Sequence, residues 1–162
     1  MRMIAVDARP DAAPDSGSRQ AANVRLLSYG GLIPFVAGGV LAWATDGAWR
    51  AFALQAVIVY AVAILSFIGA IHWGRVLAGR EEERSGAAWL FWGVTPSLLG
   101  WFAVLLPPAL TLMVLVLSFA ATWAADRLAV TEGRYPGWFG RLRTVLTSVV
   151  CVTLVALIPL VL

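Results

Sequence analysis

The chain has 162 residues, of which 60% are hydrophobic and 13% are charged, and its formal net charge is +3. This composition leaves too little polar surface for a soluble domain of this size and excludes that class of protein. The basic residues flank apolar stretches instead of clustering with aromatic residues, so they indicate anionic lipid headgroups as partners, and not nucleic acid.

The chain begins with a polar segment. Residues 1–24 are rich in Asp, Pro, Ala and Ser, which predicts a disordered cytoplasmic tail ahead of a transmembrane domain at residues 25–162. The segment lacks the early apolar core of a secretory signal, and its acidic residues are unlike those of a mitochondrial presequence. The expected location is therefore the bacterial cytoplasmic (inner) membrane, in a multi-pass arrangement.

Five apolar stretches follow, at residues 26–45, 52–77, 87–106, 109–125 and 144–162. Each is close to the roughly 20 residues that an α-helix needs to cross a bilayer. All of the 12 Lys and Arg residues except Arg50 fall in segments on one side of these stretches, which the positive-inside rule assigns to the cytoplasm. The predicted fold is an all-α integral membrane bundle of five transmembrane helices, with the amino terminus cytoplasmic and the carboxyl terminus outside.

Small residues in the second stretch predict a helix contact. Ser66, Ala70 and Gly74 follow one another at intervals of four, which places them on one face of a helix. Small side chains let two backbones approach closely, and close packing is what holds helices together in lipid. We expect this face to contact another helix of the bundle.

The fourth stretch has a polar face. Thr111, Ser118, Thr122 and Asp126 lie within about 80° of one another on a helix of 3.6 residues per turn. Polar side chains are costly in hydrocarbon, so this face is predicted to look into the bundle. The Pro107-Pro108 turn before it predicts that the third and fourth spans are antiparallel neighbours.

His72 is the only histidine and lies in the second stretch, toward the cytoplasmic end. An ionisable ring at that depth can serve as a proton relay, a hydrogen-bond donor to a quinone or a single axial ligand. It can equally be a neutral histidine that bonds a neighbouring helix. A lone histidine and the lone Cys151 are too few for a metal site or a bis-histidine haem, and no cofactor is predicted.

Asp126 ends the polar face of the fourth stretch. It either pairs locally with Arg127 or points inward to an arginine at the start of the fifth stretch, a short loop away. We predict that the inward carboxylate, the histidine, its neighbour and at least one of the two arginines form a polar recess open to the cytoplasmic side. The candidate residues are His72, Trp73, Asp126, Arg141 and Arg143.

Four segments carry a resemblance to a known family. They are ILSFIGAIHWG at residues 64–74, PSLLGW at 96–101, DR at 126–127 and the stretch at 135–147. With them the chain resembles an uncharacterised family, domain of unknown function 3429, which contains bacterial multi-pass proteins and the mitochondrial transmembrane protein 69. The resemblance implies a helical membrane domain and implies no activity or catalytic residue.

Three functions are compatible with these features. The sequence has no nucleophile elbow, no phosphate-binding glycine loop and no paired histidines or cysteines, which argues against an enzyme without excluding one, and no activity is predicted. The first hypothesis is an accessory or assembly factor that contacts another membrane protein. The second is a binder of a hydrophobic ligand, a quinone or a lipid, at the polar recess. The third is a small transporter or channel.

Overall fold

The structure is a computed structural model that describes residues 16–79 and 83–162. Every regular element within these residues is helical. The helices are α1 (Ser16–Gly30), α2 (Ile33–Ala44), α3 (Gly47–Leu77), α4 (Glu83–Ala103), α5 (Pro108–Thr131) and α6 (Gly137–Leu157), and a short 3₁₀ helix, Ile158–Leu160, follows α6. The prediction of an all-α fold is confirmed for the described residues.

Four segments of the described chain are long and apolar enough to cross a membrane: Gly17–Ala44, Gly47–Leu77, Pro108–Thr131 and Gly137–Leu160. They correspond to the first, second, fourth and fifth predicted spans. The third predicted span corresponds to α4, which has 21 residues but contains three tryptophans, several glycines and Pro96. These residues lower its mean hydropathy, so a fifth span and the orientation of the termini stay predictions.

The first predicted span is interrupted in its amino-terminal half. Helix α1 ends at Gly30, a turn covers Gly31 and Leu32, and α2 begins at Ile33. Pro34, in the first turn of α2, has no backbone N–H to donate to the helix before it, so a break at this point costs little. The turn is closed by the Gly31 N–H, which donates to the Leu27 carbonyl at 3.0 Å.

Helix α1 also begins earlier than the predicted tail boundary. Residues 16–24 form its first turns, and their Arg, Gln and Ala side chains favour a helix. Residues 1–15, which make up the rest of the predicted tail, lie outside the described residues.

The apolar core lies where α2, α3, α5 and α6 meet. The Phe35 ring packs edge-on against Tyr60, with 5.0 Å between centroids, and against Phe119, with 6.1 Å between centroids. Side chains from all four helices are fully enclosed around them, including Val57, Leu65, Leu112, Leu115 and Leu154. This core fixes the rotation of each helix about its own axis and so decides which polar groups turn inward.

The polar face of α5 points into the bundle, as predicted. Thr111, Ser118, Thr122 and Asp126 are all buried. The Thr111 hydroxyl reaches the end of α4 and donates to the Ala103 carbonyl at 2.9 Å. Helices α4 and α5 pack together on either side of their tight connection, which agrees with the prediction that they are neighbours.

The predicted contact face of α3 is wrong. Ala70 and Gly74 are exposed, and a Cβ atom on Gly74 would meet nothing within 4 Å. The close approach occurs instead at Gly69, where a Cβ atom would collide with the carbonyl oxygen of Gly93 on α4. Several faces of α3 carry small residues, and the spacing alone could not distinguish them. The inward face is the one that also carries Leu65 and His72.

Candidate functional site

Three helices bring ionisable side chains to one level of the bundle. His72 lies five residues before the end of α3, Asp126 five before the end of α5, and Arg143 six after the start of α6. Because α6 runs antiparallel to α3 and α5, similar distances from these ends place the three residues side by side. Their exposed fractions are 4%, 1% and 6%, so the cluster is almost completely enclosed.

Asp126 is the centre of the cluster. Its Oδ2 accepts a hydrogen bond from Arg143 Nε at 2.5 Å, and its Oδ1 lies 3.6 Å from His72 Nε2. The carboxylate of Asp126 and the guanidinium of Arg143 carry opposite charges that balance each other. Removing either charged partner would leave the other buried and uncompensated, which is strongly destabilising in proteins.

The other side of His72 is closed by aromatic side chains. Trp89 of α4 stacks on the imidazole with 4.6 Å between ring centroids and an interplanar angle of 18°. Tyr135, in the link between α5 and α6, places its hydroxyl 3.4 Å from His72 Nδ1. The guanidinium groups of Arg134 and Arg75 lie over Trp89 and Tyr135, at 4.8 and 4.9 Å from the ring centroids. His72 therefore does not face lipid.

Two of the predicted site residues lie outside the cluster. Trp73 follows His72 and points about 100° further around the helix, where its Nε1 donates to the Leu90 carbonyl at 2.9 Å. Arg141 precedes Arg143 by two residues, about 200° around α6, and is exposed. Sequence reasoning missed Trp89 and Tyr135. Trp89 lies near the start of the third predicted span, and Tyr135 lies in the loop between the fourth and fifth spans, where it begins one of the segments that carry the family resemblance.

A cavity of about 450 Å³ lies beside the cluster, between α1, α2, α3 and α6. Phe35, Phe119 and Val150 are among its buried wall residues. Leu27 and Phe67 line it too and are 75% and 68% exposed, so the cavity is open to the outside of the bundle. The lining is almost entirely apolar, which suits a hydrophobic occupant.

Two residues that line this cavity carry polar atoms without partners. Arg143 and Thr147 both line it, one helical turn apart on α6. Arg143 Nη2 and Thr147 Oγ1 are buried, and neither has a hydrogen-bond partner among the described residues. A buried polar group left unsatisfied costs about 1–3 kcal/mol, and more when it is charged.

The hydroxyl of Thr147 differs from its neighbours on the same helix. Thr144 donates to the Gly140 carbonyl and Thr153 to the Val149 carbonyl, both at 2.9 Å. Such a bond to the carbonyl four residues earlier is the usual way for a hydroxyl to be satisfied inside a membrane helix. Thr147 makes no such bond to a described residue, although it is buried. Its hydroxyl is thus left without a partner on a residue that lines the cavity.

The predicted recess is divided in the structure. His72 and Asp126 form an enclosed cluster and do not line the cavity, whereas Arg143 belongs to both. Within the described part of the chain, no three His, Cys, Asp or Glu side chains are grouped so that they could hold a metal ion. What the arrangement offers chemically is hydrogen-bond donors, from Arg143 and Thr147, at the wall of an apolar cavity.

Comparison with known proteins confirms the resemblance noted above. The chain is 32% identical to transmembrane protein 69 of Xenopus tropicalis over 133 residues, which cover 80% of this chain and 51% of that protein. It is 29% identical to transmembrane protein 69 of Mus musculus over 129 residues, which cover 80% of this chain and 52% of that protein. The chain thus spans about half the length of the curated relatives it matches.

No solved structure matches the chain significantly. The family model described as protein of unknown function (DUF3429) matches residues 20–159, which include nearly all of the helical part of the chain and every residue of the cluster and the cavity. The protein therefore belongs to the DUF3429 family of membrane proteins of unknown function.

Proposed function

We propose that the protein binds a hydrophobic ligand, a quinone or a lipid, in the cavity between α1, α2, α3 and α6, with the polar head of the ligand at Arg143 and Thr147. The observation that carries the proposal is the pair of buried, unpartnered polar atoms on two neighbouring residues that line a largely apolar cavity. A ligand that accepts hydrogen bonds from them would remove the cost of leaving both groups unsatisfied.

The size and lining of the cavity support this function. Its volume of about 450 Å³ lies in the usual range for small-molecule sites, about 300–1,000 Å³. Lipid tails are as apolar as the cavity walls, so burial of apolar surface gives little affinity inside a bilayer. The affinity must then come mainly from the polar head, which is where Arg143 and Thr147 act.

Replacing Val150 tests whether the cavity is the binding site. Val150 is buried in the cavity wall, so the ring of Val150→Phe should occupy the space of the ligand. Val145→Phe makes the same change at an exposed position of α6 outside the cavity and is the matched control. We expect native mass spectrometry in mild detergent, with analysis of extracted lipids, to find a ligand on the wild type and on Val145→Phe and at least tenfold less on Val150→Phe. Equal ligand content in all three proteins would contradict the proposal.

The membrane topology belongs to the same proposal: five spans in a bacterial cytoplasmic membrane, with the amino terminus and the cluster on the cytoplasmic side. Helix α4 has 21 residues and packs against both α3 and α5. At 1.5 Å per residue it is about 31 Å long, close to the roughly 30 Å of a bilayer core. The distribution of arginines supports the orientation.

A reporter fused after Leu162 tests this topology. We expect a periplasmic reporter such as alkaline phosphatase to be active and a cytoplasmic reporter such as green fluorescent protein to be dark, because five spans put the carboxyl terminus outside. The opposite result, with only the cytoplasmic reporter active, would require an even number of spans or an inverted bundle.

The roles of accessory or assembly factor and of small transporter or channel stay predictions. Native mass spectrometry in mild detergent also tests the accessory role, because a specific membrane protein partner would remain bound at a fixed ratio. A discrete partner without a bound ligand would favour the accessory role over ligand binding.

A further inference from the structure

We infer that the ligand binds through a neutral carbonyl group and not through a phosphate or a free carboxylate. This inference rests on the proposed function and specifies the chemical class of its ligand. It follows from the charge of the cluster and from the two buried polar atoms, on Arg143 and Thr147, that lack partners.

The positive charge at the cavity is already balanced. Arg143 is the one charged residue among the described residues that line the cavity, and its Nε is bonded to Asp126. An anionic head at Arg143 Nη2 would therefore add a negative charge close to a buried carboxylate. Burying an unbalanced charge costs far more than burying a hydrogen-bonded neutral group. The cluster thus favours a head that accepts hydrogen bonds and carries no charge.

The donors match a single acceptor atom. Residues four apart on a helix are neighbours, so the side chains of Arg143 and Thr147 can approach the same atom from adjacent turns. A carbonyl oxygen has two lone pairs and can accept one bond from Arg143 Nη2 and one from Thr147 Oγ1. A phosphate has more acceptor positions than these two unpartnered atoms could satisfy.

Two kinds of membrane molecule present such a carbonyl on a long apolar chain. One is an isoprenoid quinone, with ring carbonyls, and the other is a neutral glyceride, with an ester carbonyl. Their shared chemistry is a neutral oxygen acceptor joined to a hydrocarbon body that fits an apolar cavity.

Thermal unfolding of the purified full-length protein in detergent, with added probes, tests the inference. The neutral probes are decylubiquinone and monoolein, and the anionic probes are oleate and dioleoyl phosphatidic acid. A molecule that binds only the folded state raises the unfolding temperature. We expect a rise of several degrees with at least one neutral probe and less than one degree with either anionic probe. A response to decylubiquinone alone would identify a quinone, and a response to monoolein alone a glyceride.

Two variants connect the response to the proposed atoms. Thr147→Val keeps the shape of the side chain and removes its hydroxyl. It should lower the affinity for the neutral probe about fivefold, which corresponds to the loss of one hydrogen bond. Without a probe its unfolding temperature should be unchanged or higher, because the unsatisfied hydroxyl is gone. Arg143→Lys keeps a cation for Asp126 but loses the planar guanidinium that can reach the carboxylate and the ligand at once, and it should weaken binding at least tenfold. Arg141→Lys, on the exposed side of α6, is its control.

Three results would overturn the inference. If the anionic probes stabilise the protein and Arg143→Lys abolishes that effect, the head is an anion, and the proposed function still stands. If a neutral probe stabilises the wild type and both variants equally, the head binds elsewhere. If no probe stabilises the protein and the purified protein carries no ligand, the proposed function fails together with the inference.

Discussion

Asp126→Ala is expected to lower the free energy of unfolding by about 3–5 kcal/mol, the usual cost of removing one partner of a buried ion pair. Arg143 is 6% exposed and donates to Asp126 through Nε, so the variant would leave a guanidinium buried without its carboxylate. His72 would lose its acidic neighbour as well. Unfolding of the purified protein by sodium dodecyl sulfate in mixed micelles measures the change.

A second acidic residue supplies the control for this variant. Asp46 also pairs with an arginine, Arg50, but its side chain is 88% exposed and makes no capping bond to α3. Exposed pairs contribute about 0–1 kcal/mol, so Asp46→Ala should change the stability by less than 1 kcal/mol. The double variant Asp126→Leu, Arg143→Met should recover much of the lost stability because no buried charge remains. Equal effects of Asp126→Ala and Asp46→Ala would show that the cluster is not buried as described.

Gly69→Ala is expected to lower the free energy of unfolding by about 2–3 kcal/mol. Overpacking a tight contact costs about 1–3 kcal/mol, and the contact at Gly69 is at the upper end because backbone atoms lie on both sides of it. The added methyl group would collide with the Gly93 carbonyl oxygen, and a backbone cannot move aside as a flexible side chain can. Separating α3 from α4 would also loosen Trp89, which lies on α4 and stacks on His72. The same detergent titration measures the loss.

Gly74→Ala is the matched control, with the same change on the same helix. A Cβ atom there meets nothing within 4 Å, and alanine has the higher helix propensity. Its stability should therefore be unchanged or raised by up to about 1 kcal/mol. A larger loss from Gly74→Ala than from Gly69→Ala would mean that the face predicted from the spacing, with Ser66 and Ala70, is the true contact.

The convergence of His72, Asp126 and an arginine was predictable for a simple reason. Alternating helices return to the same membrane surface, so residues at similar distances from the helix ends meet at one level. The inward turn of Asp126 was predictable as well, because it continues the polar face that Thr111, Ser118 and Thr122 form on the same helix. The helical period of the polar residues and the alternating direction of the helices were sufficient to predict this part of the site.

The choice between Arg141 and Arg143 depended on the rotation of α6, which periodicity did not determine. Both arginines lie near the start of the helix, and the hydroxyl residues of α6 spread over more than one face. The buried residues Val150 and Leu154 share the face of Arg143 and set the rotation through their packing. The contact at Gly69 was missed because periodicity did not determine the rotation of α3 either.

The cavity could not be predicted from the sequence. It depends on the break between α1 and α2 near Gly31, on the large side chains around it and on the space they leave unfilled. A void is a property of the packed bundle and has no pattern along the chain. The unpartnered Thr147 hydroxyl became informative only when the bonds of Thr144 and Thr153 were known.

The most direct test of ligand binding is an experimental structure of the protein extracted from its native membrane into lipid nanodiscs, with no ligand added. We predict elongated density in the cavity, with its head within hydrogen-bond distance of Arg143 Nη2 and Thr147 Oγ1 and its tail along the exposed wall residues Leu27 and Phe67. A cavity closed by its own side chains, with Arg143 Nη2 and Thr147 Oγ1 both bonded within the chain, would contradict the account.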